Sequence, residues 1–132
     1  MDFFNTAYKE LNAEQRAAVD QTEGAVLVIA GPGTGKTQLL SLRVANILKK
    51  TDSNPENIVC LTFTNKAAGN MQVRLSRLIG SAAQRVMIKT FHSFAAEIMN
   101  LYPDYFWNGA SLTNVPAAVA IFPLSHLTLH SS

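Results

Sequence analysis

Between Ala30 and Thr37 the chain reads Ala-Gly-Pro-Gly-Thr-Gly-Lys-Thr, which puts three glycines, a primary amine and a hydroxyl within reach of one bound group. Gly31, Gly33 and Gly35 let the backbone curl so that successive N–H groups point inward. If a helix starts here, its N-terminus adds a positive dipole end to the same pocket. The chemistry that follows is polyphosphate binding. Lys36 reaches the outer phosphates, and the Thr37 hydroxyl takes one position on a Mg²⁺ ion bridging them. Ala30 stands where the usual pattern has glycine, and a small residue suffices there.

Such a loop needs a strand before it and a helix after it. Gly24–Ile29 is an apolar run of strand type, and Gln38 to Lys50 carries Leu40, Val44, Ile47 and Leu48 at helical spacing. The alternation recurs twice more. Ile58–Phe63 precedes a helix from about Lys66 to Ile79, and Val86–Lys89 precedes one over Phe91–Asn100. Spacing turns Ala67, Met71, Leu75, Leu78 and Ile79 inward on the first of these, and Phe91, Phe94, Ala95, Ile98 and Met99 on the second. Three β-then-α units predict an α/β fold, a parallel sheet with right-handed crossovers and flanking helices. Ligands collect at the carboxyl ends of strands in such sheets, where all these motifs fall.

Ahead of the loop, Leu11–Val19 reads as a short helix with Asn12 as N-cap and Gln15 three residues on, a capping-box spacing. Gln15 then has two readings, a side chain turned back to the Asn12 N–H or an amide paired with an adenine edge. Spacing does not separate them.

Composition bounds the rest. A chain of 132 residues allows one domain with a real core. The single cysteine, Cys60, lies in an apolar run and reads as a buried reduced thiol. With no basic-then-apolar leader and no apolar stretch near the ~20 residues that span a bilayer, the expected location is cytoplasmic. The net charge of +2 hides an asymmetry: residues 36–89 hold nine basic side chains against two acids. That stretch is able to face phosphate backbones, or simply water. From Tyr105 to Ser132 there is no Asp, Glu, Lys or Arg, so residues 102–132 read as a tail, uncharged from Tyr105 on and either truncation-derived or unstructured, after a domain over residues 1–101. His126 and His130 in that tail have no Cys or acidic neighbour to complete a metal site.

Four stretches in order, Leu11-Asn-Ala-Glu-Gln15, Ala30 to Thr37, Leu61-Thr-Phe-Thr-Asn-Lys-Ala-Ala68 and Lys89-Thr-Phe-His-Ser93, resemble the motifs of UvrD/PcrA/Rep-like superfamily 1 DNA helicases. The resemblance covers about residues 8 to 101, the start of the first RecA-like motor domain. It implies an incomplete P-loop NTPase sheet, ATP and Mg²⁺ as ligands, and 3′-to-5′ movement on DNA by the complete protein. By position, Gln15 resembles the adenine-reading glutamine, and Gly33, Thr34, Gly35, Lys36 and Thr37 resemble the triphosphate and Mg²⁺ contacts. Gln38 stands where the family commonly has an arginine against the base, which weakens that contact. Thr62, Phe63, Thr64 and Asn65 resemble motif Ia, and Thr90 and His92 resemble motif Ib, both beside single-stranded DNA. Residue chemistry agrees, since Thr and Asn donate to phosphate oxygens and Phe63 offers a ring. The same residues also suit packing and helix capping.

Hydrolysis in this class needs a strand-end Asp for Mg²⁺ and a Glu for the attacking water. The acids after the loop are Asp52, Glu56, Glu97 and Asp104, and none forms an Asp-Glu pair after an apolar run. The expectation is therefore a segment that binds Mg-ATP and single-stranded DNA with little turnover alone, needing the remaining helicase domains or a partner protein. The other readings are a non-catalytic nucleotide or single-strand binding module, and a truncated inactive fragment.

Overall fold

In the computed structural model, which describes residues 2–31, 33, 35–102, 104 and 120–123, helices precede the first strand. They are α1 (Phe3–Lys9), α2 (Ala13–Asp20) and α3 (Lys36–Lys50). Then come β1 (Ile58–Thr62), α4 (Asn65–Ile79), β2 (Met87–Thr90), α5 (Phe91–Leu101) and β3 (Ala120–Pro123). Short 3₁₀ turns, Pro55–Asn57 and Gly80–Arg85, lead into β1 and β2. Tyr105, Trp107, His126 and His130 lie outside the described residues.

All five residues of β1 are buried, as a strand covered on both faces requires. It pairs in parallel with β2, from Val59↔Met87 to Thr62↔Thr90. On its other side it pairs antiparallel with β3, from Ile58↔Pro123 to Leu61↔Ala120, giving the order β2-β1-β3. Two of the three expected β-then-α units are thus present, β1–α4 and β2–α5.

The first is not. Gly24–Ile29 forms no strand, and Leu27 and Ile29 are 85% and 90% exposed. A β-branched apolar run becomes a strand only when a neighbour takes its N–H and C=O groups. Here both edges of β1 are already occupied, by β2 and by β3.

α3 is the central helix because it is apolar on two faces. Val44 and Ile47 pack with Ile58, Cys60, Met71 and Leu75 beneath α4 and the sheet. Leu39 and Leu42 pack with Val19, against Phe4, Tyr8 and Leu11 of the N-terminal segment. Lys49 and Lys50 in its last turn suit the negative end of the helix dipole. Of the side chains expected inward on α4, Met71 and Leu75 are buried while Ala67, Leu78 and Ile79 are half-buried. On α5 none is fully buried; Phe91, Phe94, Ala95, Ile98 and Met99 are all half-buried. Burial pushes the Cys60 thiol up to about 12, so it stays protonated and unreactive at neutral pH. Among the described residues no helix is long and apolar enough to cross a membrane.

Candidate functional site

The loop before α3 has the backbone its glycines permit. Gly33 and Gly35 sit at φ +75° and +76°, a left-handed conformation that costs a side-chain-bearing residue about 1 kcal/mol or more. A Cβ at either would meet nothing within 4 Å, so conformation and not space is what asks for glycine. Gly35 is the N-cap of α3 and supplies no capping side chain. The N–H groups of the first turn therefore keep their capacity for an anion. Thr34 lies outside the described residues.

Lys36 folds back over this loop. Its Nζ donates to the carbonyl oxygens of Ala30 at 3.1 Å and Gly31 at 2.8 Å, which braces the turn and holds the ammonium at its mouth. The Thr37 side chain is half-buried in the first turn of α3, and the Thr37 carbonyl accepts from Ser41 Oγ at 2.7 Å. A cavity of about 390 Å³ opens beside the loop, lined by Ala30, Gly31 and Lys36 on one side and Asn12, Glu14 and Gln15 on the other. Leu27, Val28 and Ile29, the run that forms no strand, supply its apolar wall.

Gln15 does what its spacing suggested and also faces the cavity. Its Oε1 accepts from the Asn12 N–H at 3.0 Å while Asn12 Oδ1 accepts from the Gln15 N–H at 2.9 Å, a complete capping box. The amide nitrogen of Gln15 makes no hydrogen bond among the described residues. Gln38 faces elsewhere: it lines a cleft between α1, α3 and α4, and is not among the residues lining the loop cavity.

Two residues that sequence reading overlooked hold α2 against the loop helix. Asn46, buried on α3, donates from Nδ2 to the Val19 carbonyl at 2.9 Å. Arg43, one turn earlier, donates to the carbonyls of Ala18 and Gln21. Burial pulls the Arg43 guanidinium below its ordinary value, though it remains charged. The signal in the sequence was a polar residue, Asn46, between apolar neighbours on α3. Asn46→Ala is expected to cost about 1–3 kcal/mol, the penalty for a buried acceptor left without its donor. The midpoint of urea unfolding measures it; an unchanged midpoint would mean that α2 does not hang on this bond.

At the carboxyl edge of the sheet the second group of sequence-predicted residues meets. Thr62 and Thr90 are register partners at the ends of β1 and β2. The next residues, Phe63 and Phe91, place their rings 5.7 Å apart at 58°, a tilted pair. Thr62 Oγ1 donates to the Thr64 carbonyl at 3.1 Å, and Thr64 caps α4 by accepting from the Ala67 N–H at 3.1 Å. Thr90 and Ser93 form a capping box on α5. Asn65 and His92, each in the first turn of its helix, are exposed. The hydroxyls here serve the backbone, so the groups left facing solvent are Asn65, Lys66 and His92.

Glu14 lines the loop cavity, while two acids that follow the loop in sequence are held in ion pairs. A local backbone hydrogen bond holds the Glu56 carboxyl below the usual range, helped by its ion pair with Arg85 at 2.9 Å. Glu97 pairs with Lys89. Among the described residues no group of three His, Cys, Asp or Glu side chains is placed to hold a metal. A glycine loop with a lysine ammonium and free helix N-terminal N–H groups suits a polyphosphate by its chemistry, and a Mg²⁺ ion would have to come with those phosphates.

The family model of the UvrD/REP helicase N-terminal domain matches residues 11–115. Over 100 residues, 76% of this chain, the sequence is 45% identical to the ATP-dependent DNA helicase PcrA of Staphylococcus epidermidis. It is 42% identical over the same length to the ATP-dependent DNA helicase PcrA of Staphylococcus aureus. The chain spans 14% of the length of each of these helicases.

Proposed function

Because this chain belongs to the UvrD/REP helicase N-terminal domain family, we propose that it is the ATP-binding segment of an ATP-dependent 3′-to-5′ DNA helicase. The observation that carries the reading is the cavity between the glycine loop and α2, with Lys36 at one wall and Gln15 at the other. Lys36 lines that cavity, and its ammonium, with the first-turn N–H groups of α3 next to it, takes the β- and γ-phosphates. The unengaged amide nitrogen of Gln15 donates to the base, while its Oε1 keeps α2 capped. The Thr37 hydroxyl would be the protein's contact to a phosphate-bound Mg²⁺, which when present would neutralise phosphate charge.

Single-stranded DNA lies across the carboxyl edge of β1 and β2, with Asn65, Lys66 and His92 toward the backbone and the Phe63–Phe91 pair beneath a base. Turnover by the chain alone is low. Glu56 and Glu97 are committed to ion pairs, and Glu14, the acid among the described residues that lines the cavity, stands on the α2 wall beside Gln15, so acids that hold Mg²⁺ and take a proton from water come from elsewhere. The remaining helicase domains, or a partner protein, supply those groups.

Fluorescence anisotropy of a labelled oligo(dT) in Mg-ATP, titrated with salt, tests the reading. With about three phosphate contacts the slope of log K against log salt is expected near roughly −2. Lys66→Ala should make it shallower by about 0.7. A flat response would remove DNA from the proposal and leave a nucleotide-binding module.

A further inference from the structure

A second cleft, of about 140 Å³, lies on the face of α3 turned toward α1 and α4. Its floor is apolar, formed by Ala7, Leu42 and Leu78, and Phe3 stands at its rim 51% exposed. Arg74 and Arg77, one turn apart on α4, stand over it and are exposed. Neither makes a hydrogen bond or ion pair among the described residues, whereas Arg85, Lys89 and Lys50 each have an acidic partner. Gln38 adds an amide from α3. The α1 wall lies ahead of residue 11, where the family match begins.

We propose that this cleft docks an acidic segment of a partner protein that carries a large apolar side chain. The volume takes one such side chain and is too small for a nucleotide, which the 390 Å³ loop cavity suits better. Phe3 and Leu78 would bury that side chain, and the two guanidinium groups would take flanking carboxylates in forked, charge-assisted hydrogen bonds. Charge decides the occupant: two uncompensated cations beside an apolar slot select an anion with an apolar body over a neutral peptide. The strand-end surface proposed for DNA is built from other residues, so the two sites fail independently.

The test uses the full chain and a fluorescein-labelled Glu-Leu-Glu-Phe-Glu peptide, with the Gln-for-Glu version as control. The acidic peptide should bind and the Gln version should bind at least about tenfold more weakly. R74A/R77A should weaken the acidic peptide by about tenfold or more and leave the Mg-ATP-induced shift in unfolding temperature unchanged. F3A should weaken both peptides alike. The proposal fails if the acidic peptide shows no binding up to about 1 mM, or if R74A/R77A binds it as well as the parent chain. It also fails if oligo(dT) displaces the peptide and itself loses affinity in R74A/R77A, which would assign the cleft to nucleic acid.

Discussion

Lys36→Ala is expected to erase the stabilisation that Mg-ATP confers on this chain. At about 100 times the dissociation constant, a ligand that binds only the folded state adds roughly 2.7 kcal/mol, a shift of several degrees in unfolding temperature. The lysine does two things in the free protein: it braces the carbonyls of Ala30 and Gly31, and it holds a positive charge at the loop mouth. It is exposed, so removing it should change the unliganded unfolding temperature little. The charge is what the phosphates need, and among the described residues no other cationic side chain lines that cavity. Differential scanning fluorimetry with and without saturating Mg-ATP reads both quantities. A full ligand-induced shift in the variant would mean that nucleotide binds elsewhere, or binds through backbone N–H groups alone.

The parts of this structure set by near neighbours are legible in the sequence. Asn12 with Gln15 and Thr64 before its helix announce their caps through side chains that reach three residues along the chain, and the structure has both bonds. The parallel pairing of β1 and β2 follows from two apolar runs, each followed by a helical period. What fails is what depends on distant partners. Gly24–Ile29 has strand composition, yet composition does not say which segment will sit at its edge, and here none does. β3 occupies the far edge of β1, a pairing across more than fifty residues of chain that no local pattern encodes. The same limit hides Arg43 and Asn46, whose meaning is the carbonyls of Val19, Ala18 and Gln21 that folding brings to them. It also hides α1, whose Phe3–Lys9 sequence is too short to be a stable helix except against α3.

That dependence of the short helices on α3 makes Leu42→Ala the substitution with the largest expected cost to the fold. Leu42 is fully buried and packs with Val19 and Leu39, with Phe4, Tyr8 and Leu78 around them. One side chain therefore ties α1, α2 and α4 to the helix that carries the glycine loop. Truncating it should cost about 2–5 kcal/mol, against a total stability of roughly 5–15 kcal/mol for a domain of this kind. The loss should appear first as faster amide exchange in α1 and α2, because seven- and eight-residue helices have little stability of their own. Leu27→Ala is the matched control, the same change of atoms at a site 85% exposed. It should lie within about ±0.5 kcal/mol of the parent chain. If both variants lose stability equally, the Gly24–Ile29 run is packed as a sheet strand after all, and the loop is positioned from its strand side. If only Leu42→Ala does, the loop is positioned by α3 and the helices gathered on it.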